Sequence, residues 1–332
     1  MTHPRLIGVD WGTTACRAYL VGDGGRVLAR AAGPGILGVK DQAFAEALRA
    51  ITADWMRGGR LPVLLSGMVG SRQGWVEAPY LACPAGADEI AAALVRLDDP
   101  SLGPVALVPG LTVDHGDMPD VMRGEETQVI GALAPGAPHA LFVLPGTHSK
   151  WVEVADGRIA GFRTFMTGEV YGALEAHTIL GRLMRDAAAP DAAAFARGVA
   201  EGAAQESGGA LLHRLFAART YGLFDRLPAT GLADYLSGLL IGAEIAEATR
   251  GAEAPVTILA SPALAERYLA AFAALGRAAR PGPPTAPPSA STAWRWRRGW
   301  RETSSDCLKT ALRASSRPSA RSDVPPASEG AL

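Results

Sequence analysis

The amino-acid sequence predicts an α/β protein of two related halves, each a mixed sheet flanked by helices, with a cleft between them. Two observations predict it. Apolar runs occur twice in one order, three strands followed by alternating helix and strand, and each series opens with two apolar runs joined by a Gly-Thr turn. In the first half, strands are expected over residues 5–10, 15–21 and 26–31. A helix over 41–57 with Asp41 as its cap follows, then strand 62–66, helix 87–96, strand 104–109 and helix 124–133. The second half repeats this with strands 140–144, 151–154 and 158–164 before helix 168–182. A helical stretch 191–218, helix 231–250, strand 255–260 and helix 262–275 complete it. A doubly wound parallel sheet would account for the alternation but not for the two antiparallel hairpins.

The hairpins carry the first chemical signal. Leu6 to Val21 holds Asp10, the turn Gly12-Thr13-Thr14 and Arg17. Such a turn offers backbone N–H groups and two hydroxyls to an anion, and a glycine without Cβ lets it approach. Asp10 cannot face phosphate oxygens without a cation between, which assigns it to Mg²⁺, directly or through water. A tight hairpin whose Asp and Thr side chains satisfy the turn would look the same. The second copy shifts the balance: Gly146-Thr147 lies in Pro145-Gly146-Thr147-His148-Ser149-Lys150, with Gly146 134 positions after Gly12. A triphosphate held between two half-molecules needs one such loop from each. Lys150 is then a candidate to neutralise phosphate charge.

Composition narrows the classes. The chain has 332 residues, of which 48% are hydrophobic, enough for two cores. A formal charge of −1 gives no reason to expect nucleic acid or a membrane surface as partner. Three cysteines without metal-type spacing, no signal-like start and no membrane-length apolar run lead to the expectation of a cytoplasmic protein, monomer or homodimer.

Six segments in register give a resemblance. Gly8 to Arg17 (GVDWGTTACR), Ser66 to Tyr80 (SGMVGSRQGWVEAPY), Val121 to Gln128 (VMRGEETQ), Leu144 to Trp151 (LPGTHSKW), Phe162 to Glu169 (FRTFMTGE) and Leu236 to Glu244 (LSGLLIGAE) resemble the 2-dehydro-3-deoxygalactonokinase family. The resemblance implies the actin-like ATPase (ribonuclease H-like) fold. It also implies phosphorylation of the 6-hydroxyl of 2-dehydro-3-deoxygalactonate with ATP and Mg²⁺. A kinase of a neighbouring acid such as 2-keto-3-deoxygluconate, or an inactive nucleotide-binding remnant, are the alternatives.

Phosphoryl transfer needs neutralised phosphates, an in-line hydroxyl and a carboxylate near it. In sugar kinases of the glycerol kinase type a carboxylate at the helix start before the second phosphate loop accepts the substrate proton. By place Glu125 corresponds to it, with Glu126 less favoured; two Glu in a first turn also complement the helix dipole. Arg123 is the candidate to hold the substrate carboxylate or the transferring phosphoryl. Arg17, Arg72 and Arg163 are further guanidinium candidates for the acid, though each is equally read as a surface arginine. Gly67 and Met68 follow a buried strand, where α/β folds place ligands, and Glu169 begins a helix that can face an anion. Trp75 and Tyr80 suit a pocket wall or core packing equally.

The reading divides the chain into residues 1–135 with the first phosphate loop and substrate pocket, 136–278 with the second loop and adenine side, and 279–332 as an atypical tail. Residues 281–332 hold eight prolines, nine serines and three tryptophans without helical or strand period, the composition of a disordered appendage or a shifted reading frame. The second half is therefore expected to lack a closing edge strand and helix. Ala260-Ser261-Pro262 stands where actin-fold kinases carry a Gly-rich adenosine loop.

Overall fold

The computed structural model describes residues 3–116, 118–133, 138–204, 210–252 and 254–283. The atypical tail from residue 284 onward, with its expected disorder, lies outside the described residues.

The first half contains β1 (Pro4–Trp11), β2 (Ala15–Gly22), β3 (Val27–Pro34), α1 (Phe44–Met56), β4 (Val63–Ser66), β5 (Tyr80–Ala82), α2 (Ala87–Ala92), β6 (Val95–Asp99), β7 (Gly103–Leu107), β8 (Gly110–Asp114), β9 (Pro119–Met122) and α3 (Glu125–Ala132). The second contains β10 (His139–Leu144), β11 (Ser149–Ala155), β12 (Arg158–Phe165), α4 (Thr167–His177), α5 (Ala192–Ala203), α6 (Ala210–Leu215), α7 (Ala217–Leu223), α8 (Leu232–Ala248), β13 (Val256–Ile258), α9 (Pro262–Ala274) and β14 (Ala279–Pro281).

The duplication is visible in the sheets. One runs β3-β2-β1-β4-β7-β6 and the other β12-β11-β10-β13-β14. In both, the first three strands are antiparallel and the next two join parallel. The central hairpin strands are buried in continuous runs rather than alternately, because both faces of each sheet are covered. Ile7, Val9 and Trp11 of β1 pack with Phe44 and Leu48 of α1 in the first half; Leu141 and Val143 of β10 pack with Ile241 and Ile245 of α8 in the second. A third core joins the halves, with Val129 and Ile130 of α3 beside Phe142, Val152 and Phe162. Trp75 stacks on Phe44 with ring centroids 6.3 Å apart, which settles it as core rather than pocket wall.

Several expectations are corrected. Asp41 does not cap α1: it sits in a preceding turn at φ 53°, and Ala43 occupies the cap position without a side-chain bond. The helix expected over 87–96 ends at Ala92, because Val95 and Leu97 alternate into β6 and pack on the first core. The helix expected over 168–182 stops at His177. The stretch 191–218 divides into α5, α6 and α7. The small sheet β5-β8-β9 was not anticipated. The edge strand expected to be missing is present: β14 runs parallel to β13, and the Gly282 N–H continues the pairing to the Ile258 carbonyl at 2.8 Å. The second sheet thus extends past residue 278.

The tightest helix contact is between α5 and α8, where glycines four apart on each helix interlock. A Cβ at Gly198 would lie 2.1 Å from the Tyr235 carbonyl oxygen, at Gly202 2.0 Å from that of Leu239, at Gly238 2.2 Å from that of Phe195 and at Gly242 2.3 Å from that of Val199. No side chain fits, so the backbones touch. Gly242→Ala is expected to cost roughly 1–3 kcal/mol or more through overpacking. Gly172→Ala, on a helix face where a Cβ meets nothing within 4 Å, is expected to be neutral or to stabilise by up to about 1 kcal/mol. Denaturant unfolding of both variants measures the contrast.

Candidate active site

The ends of β1, β4 and α3 meet at one point because two glycines remove the side chains that would hold them apart. Gly67, directly after β4, has φ 92°; a Cβ there would lie 2.9 Å from the Trp11 carbonyl oxygen and 3.4 Å from Asp10 Oδ1. Gly124, directly before α3, has φ 112°, and its Cβ would lie 3.2 Å from the Gly67 Cα. This backbone contact sets the first turn of α3 beside Asp10.

Asp10 is half-buried, opposite Arg17 in the hairpin register, with Arg17 Nη1 3.6 Å from its Oδ2. Burial raises the Asp10 pKa and the Arg17 charge partly offsets this. Glu125, half-buried at the start of α3, accepts from the Arg123 N–H at 3.0 Å. Its pKa is raised by burial, lowered by Lys150 and raised again by Asp10. Three charged groups from three separate segments therefore share one electrostatic neighbourhood.

Lys150 enters it from the second half. It is buried and donates to the Val121 carbonyl and to Thr164 Oγ1, each at 2.7 Å. Burial lowers its pKa, against the raising influence of Glu125 and Asp120. Asp120 in turn accepts from the Thr164 N–H at 2.7 Å and from its hydroxyl at 2.6 Å. Lys150 thus crosses between halves and faces Glu125 rather than standing at the mouth of the second turn.

Glu126 points away into the protein. It is fully buried, accepts from the Gly124 N–H at 2.7 Å and lies 3.3 Å from Ser66 Oγ. Burial, with the Glu125 charge second, pushes its pKa up to about 8. It holds the turn before α3 and does not face the cleft.

Both turns have room at their glycines. A Cβ at Gly12 would meet only the Ala15 carbonyl oxygen at 3.4 Å, and one at Gly146 only that of His148 at 3.8 Å; neither has positive φ. Nothing in the protein requires a glycine at either place. Thr13, Thr14, Gly146 and Thr147 are exposed. The second turn is braced by α4: the Glu169 N–H donates to the Thr147 carbonyl at 2.9 Å, and Glu169 Oε2 lies 2.6 Å from His148 Nε2. Beside it a cleft of about 310 Å³ is lined by Gly146, Thr167, Gly168, Ser237, Arg267 and Tyr268, among others. It lies where the sequence reading placed the adenine side, although α9 begins with Pro262 rather than a Gly-rich loop.

The remaining candidates separate. Arg72 is exposed and pairs with Glu77 at 3.3 Å. Arg163 donates to the Ala248 carbonyl at 2.7 Å and so caps the C-terminus of α8. Met68 is partly buried and packs on the first core. The Arg123 guanidinium lies over the Tyr80 ring, 4.3 Å from its centroid, and donates to the Ala78 carbonyl at 2.7 Å. Its Nε and Nη1 are enclosed without a partner. Glu244, in a quoted segment but given no role from sequence, accepts from the Trp151 indole and the Tyr268 hydroxyl, each at 2.8 Å.

Two sheets of matching topology, each an antiparallel three-stranded start extended by parallel strands, give the actin-like ATPase fold shared by sugar kinases. The family model of 2-keto-3-deoxy-galactonokinase matches residues 10–286, and the chain belongs to that family. A 2-dehydro-3-deoxygalactonokinase of Escherichia coli (strain K12) is 39% identical over 278 residues, 82% of this chain and 90% of that protein. A Rhizobium meliloti (strain 1021) relative named "Probable 2-dehydro-3-deoxygalactonokinase DgoK1" is 40% identical over 247 residues, 73% of this chain and 80% of its own length. A crystal structure of a Sinorhizobium meliloti protein, also assigned as a 2-dehydro-3-deoxygalactonokinase, superposes with a TM-score of 0.76 at 35% identity, covering 94% of this chain and 99% of that one.

The raised Glu126 pKa gives a pH signature. A carboxyl whose folded pKa exceeds its unfolded value stabilises fully below the unfolded pKa and loses that contribution as pH rises through the folded one. Wild-type stability is therefore expected to fall between about pH 4.5 and about pH 8 relative to Glu126→Gln, as read by denaturant unfolding across that range.

Proposed function

We propose that the protein transfers the terminal phosphoryl group of ATP to the 6-hydroxyl of 2-dehydro-3-deoxygalactonate, a step of galactonate catabolism. The observation that carries this reading is the convergence of Asp10, Glu125 and Lys150 between two glycine turns that the protein's own packing does not require. The names of the relatives support the same chemistry.

Glu125 acts as the base. It receives the hydroxyl proton as the oxygen attacks phosphorus, and its raised pKa brings it closer to the operating pH, where general bases work best. The Lys150 charge favours the carboxylate form, so its presence limits how far burial can lift the pKa. The turn Gly12-Thr13-Thr14 supplies donors to the transferring phosphoryl, and Gly146-Thr147 to the rest of the chain. Arg17 balances Asp10 at the hairpin.

The donor set fits Mg²⁺. Among the described residues no three His, Cys, Asp or Glu side chains gather into a metal cage, which suits an ion held by one carboxylate, phosphate oxygens and water. Asp10 is the carboxylate that would hold it. When bound, the ion neutralises phosphate charge.

Arg123 is assigned to the substrate carboxylate. The enclosed Nε and Nη1 of its guanidinium have no hydrogen-bond partner, and the carboxylate of the acid would supply acceptors for them. Tyr80, partly exposed above it, forms the side that must admit the ligand.

An ATP-consumption assay with a panel of 2-keto-3-deoxy acids tests the reading; turnover restricted to a gluconate-type epimer, or absent altogether, would replace it. Glu125→Gln is expected to lower kcat by about 10²–10⁴ with both KM values little changed. In wild type, kcat should rise with pH through a limb above the ordinary carboxylate range, since Glu125 must be deprotonated to act, and measurable residual activity in Glu125→Gln should lack that limb. Arg123→Lys keeps charge but loses the fork, and should raise KM for the acid while leaving KM for ATP near wild type.

A further inference from the structure

The Leu236 to Glu244 segment of α8 has no part in the chemistry above, yet it carries a buried carboxylate under the second turn. Glu244 is 3% exposed. Its Oε1 accepts from Trp151 Nε1 and its Oε2 from the Tyr268 hydroxyl, each at 2.8 Å. The Tyr268 oxygen lies 3.1 Å from Ser149 Oγ, and the Thr167 hydroxyl also bonds Glu244. These partners sit on three different walls. Ser149 follows the Gly146-Thr147-His148 turn directly, Thr167 opens α4, and Tyr268 belongs to α9; Thr167 and Tyr268 line the 310 Å³ cleft with Gly146.

We propose that Glu244 is a positioning residue for the nucleotide: one buried carboxylate fixes the second phosphate turn, the N-terminus of α4 and the α9 wall as a single preformed cradle for a nucleoside triphosphate. The inference rests on the kinase reading. Glu244 touches no ligand itself, since its oxygens are turned to Trp151, Tyr268 and Thr167. Its own place is set by the glycine contact of α8 with α5, because Gly238 and Gly242, six and two residues before it, hold the helix at backbone distance. A carboxylate is needed because every partner arrives as a donor. The Trp151 indole can only donate, so a glutamine must turn its carbonyl there and present its NH₂ to Tyr268. Tyr268 would then have to reverse its proton toward Ser149.

The test measures equilibrium binding of ADP and of a non-hydrolysable ATP analogue by calorimetry, together with both KM values and thermal stability, in wild type, Glu244→Gln, Tyr268→Phe and the double variant. Glu244→Gln is expected to weaken nucleotide binding and raise KM for ATP roughly tenfold, the scale of one hydrogen bond to a charged group, with KM for the sugar acid within about twofold. Tyr268→Phe should move the same parameter, and the double variant should be little worse than the poorer single, because both cut one link. A folded Glu244→Gln protein with wild-type nucleotide affinity, or equal loss for both substrates, overturns the inference. If Glu244→Gln fails to fold, Tyr268→Phe decides in the same way. Absence of nucleotide binding to wild type overturns the kinase reading instead.

Discussion

The site depends on the contact between the backbones of Gly67 and Gly124. A side chain at either place would strike the other chain or the Trp11 carbonyl, so β4 and α3 can approach the end of β1 only as they are. That approach sets Glu125 in the field of Asp10: burial raises the Glu125 pKa, and the Asp10 charge adds to this. The cost of the pair is offset by Lys150, delivered from the opposite half by β11 and fixed by Val121 and Thr164. The base, the metal carboxylate and the join between the halves are therefore one construction.

The same economy of side chains recurs behind the second turn. Gly168 abuts the Gly146 carbonyl, where a Cβ would stand 2.3 Å away, so α4 can rest directly on the loop. Glycines on α5 and α8 bring Glu244 under it. In both halves the turn assigned to the ligand is backed by close backbone contacts, which suits positional catalysis.

What was legible in the sequence follows from how local each signal is. The hairpins, the order of elements and Asp10 rest on short periodic runs and turns, and Glu125 on the resemblance to sugar kinases; the folded chain sets Glu125 in the field of Asp10. Arg72 and Arg163 lay in the same quoted segments but are spent on Glu77 and the end of α8, partners that only the folded chain supplies. The sheet β5-β8-β9 was missed because its strands are three to five residues long and show no clean alternation. The edge strand β14 was missed for the same reason, since three residues beside a proline carry no period. Glu244 was quoted without a role, since a carboxylate in an apolar helix gains meaning only from Trp151 and Tyr268. Its signal was present in the paired glycines of α5 and α8, whose spacing of four marks helices in backbone contact.

The most direct test of the account is a crystal structure of the protein with Mg²⁺, a non-hydrolysable ATP analogue and the keto-deoxy acid. The terminal phosphate is expected between Gly12-Thr13-Thr14 and Gly146-Thr147, with the acceptor hydroxyl about 2.6–3.2 Å from the Glu125 carboxylate. A nucleotide bound away from both turns, or a hydroxyl facing no carboxylate while Glu125 keeps only its Arg123 contact, would contradict it.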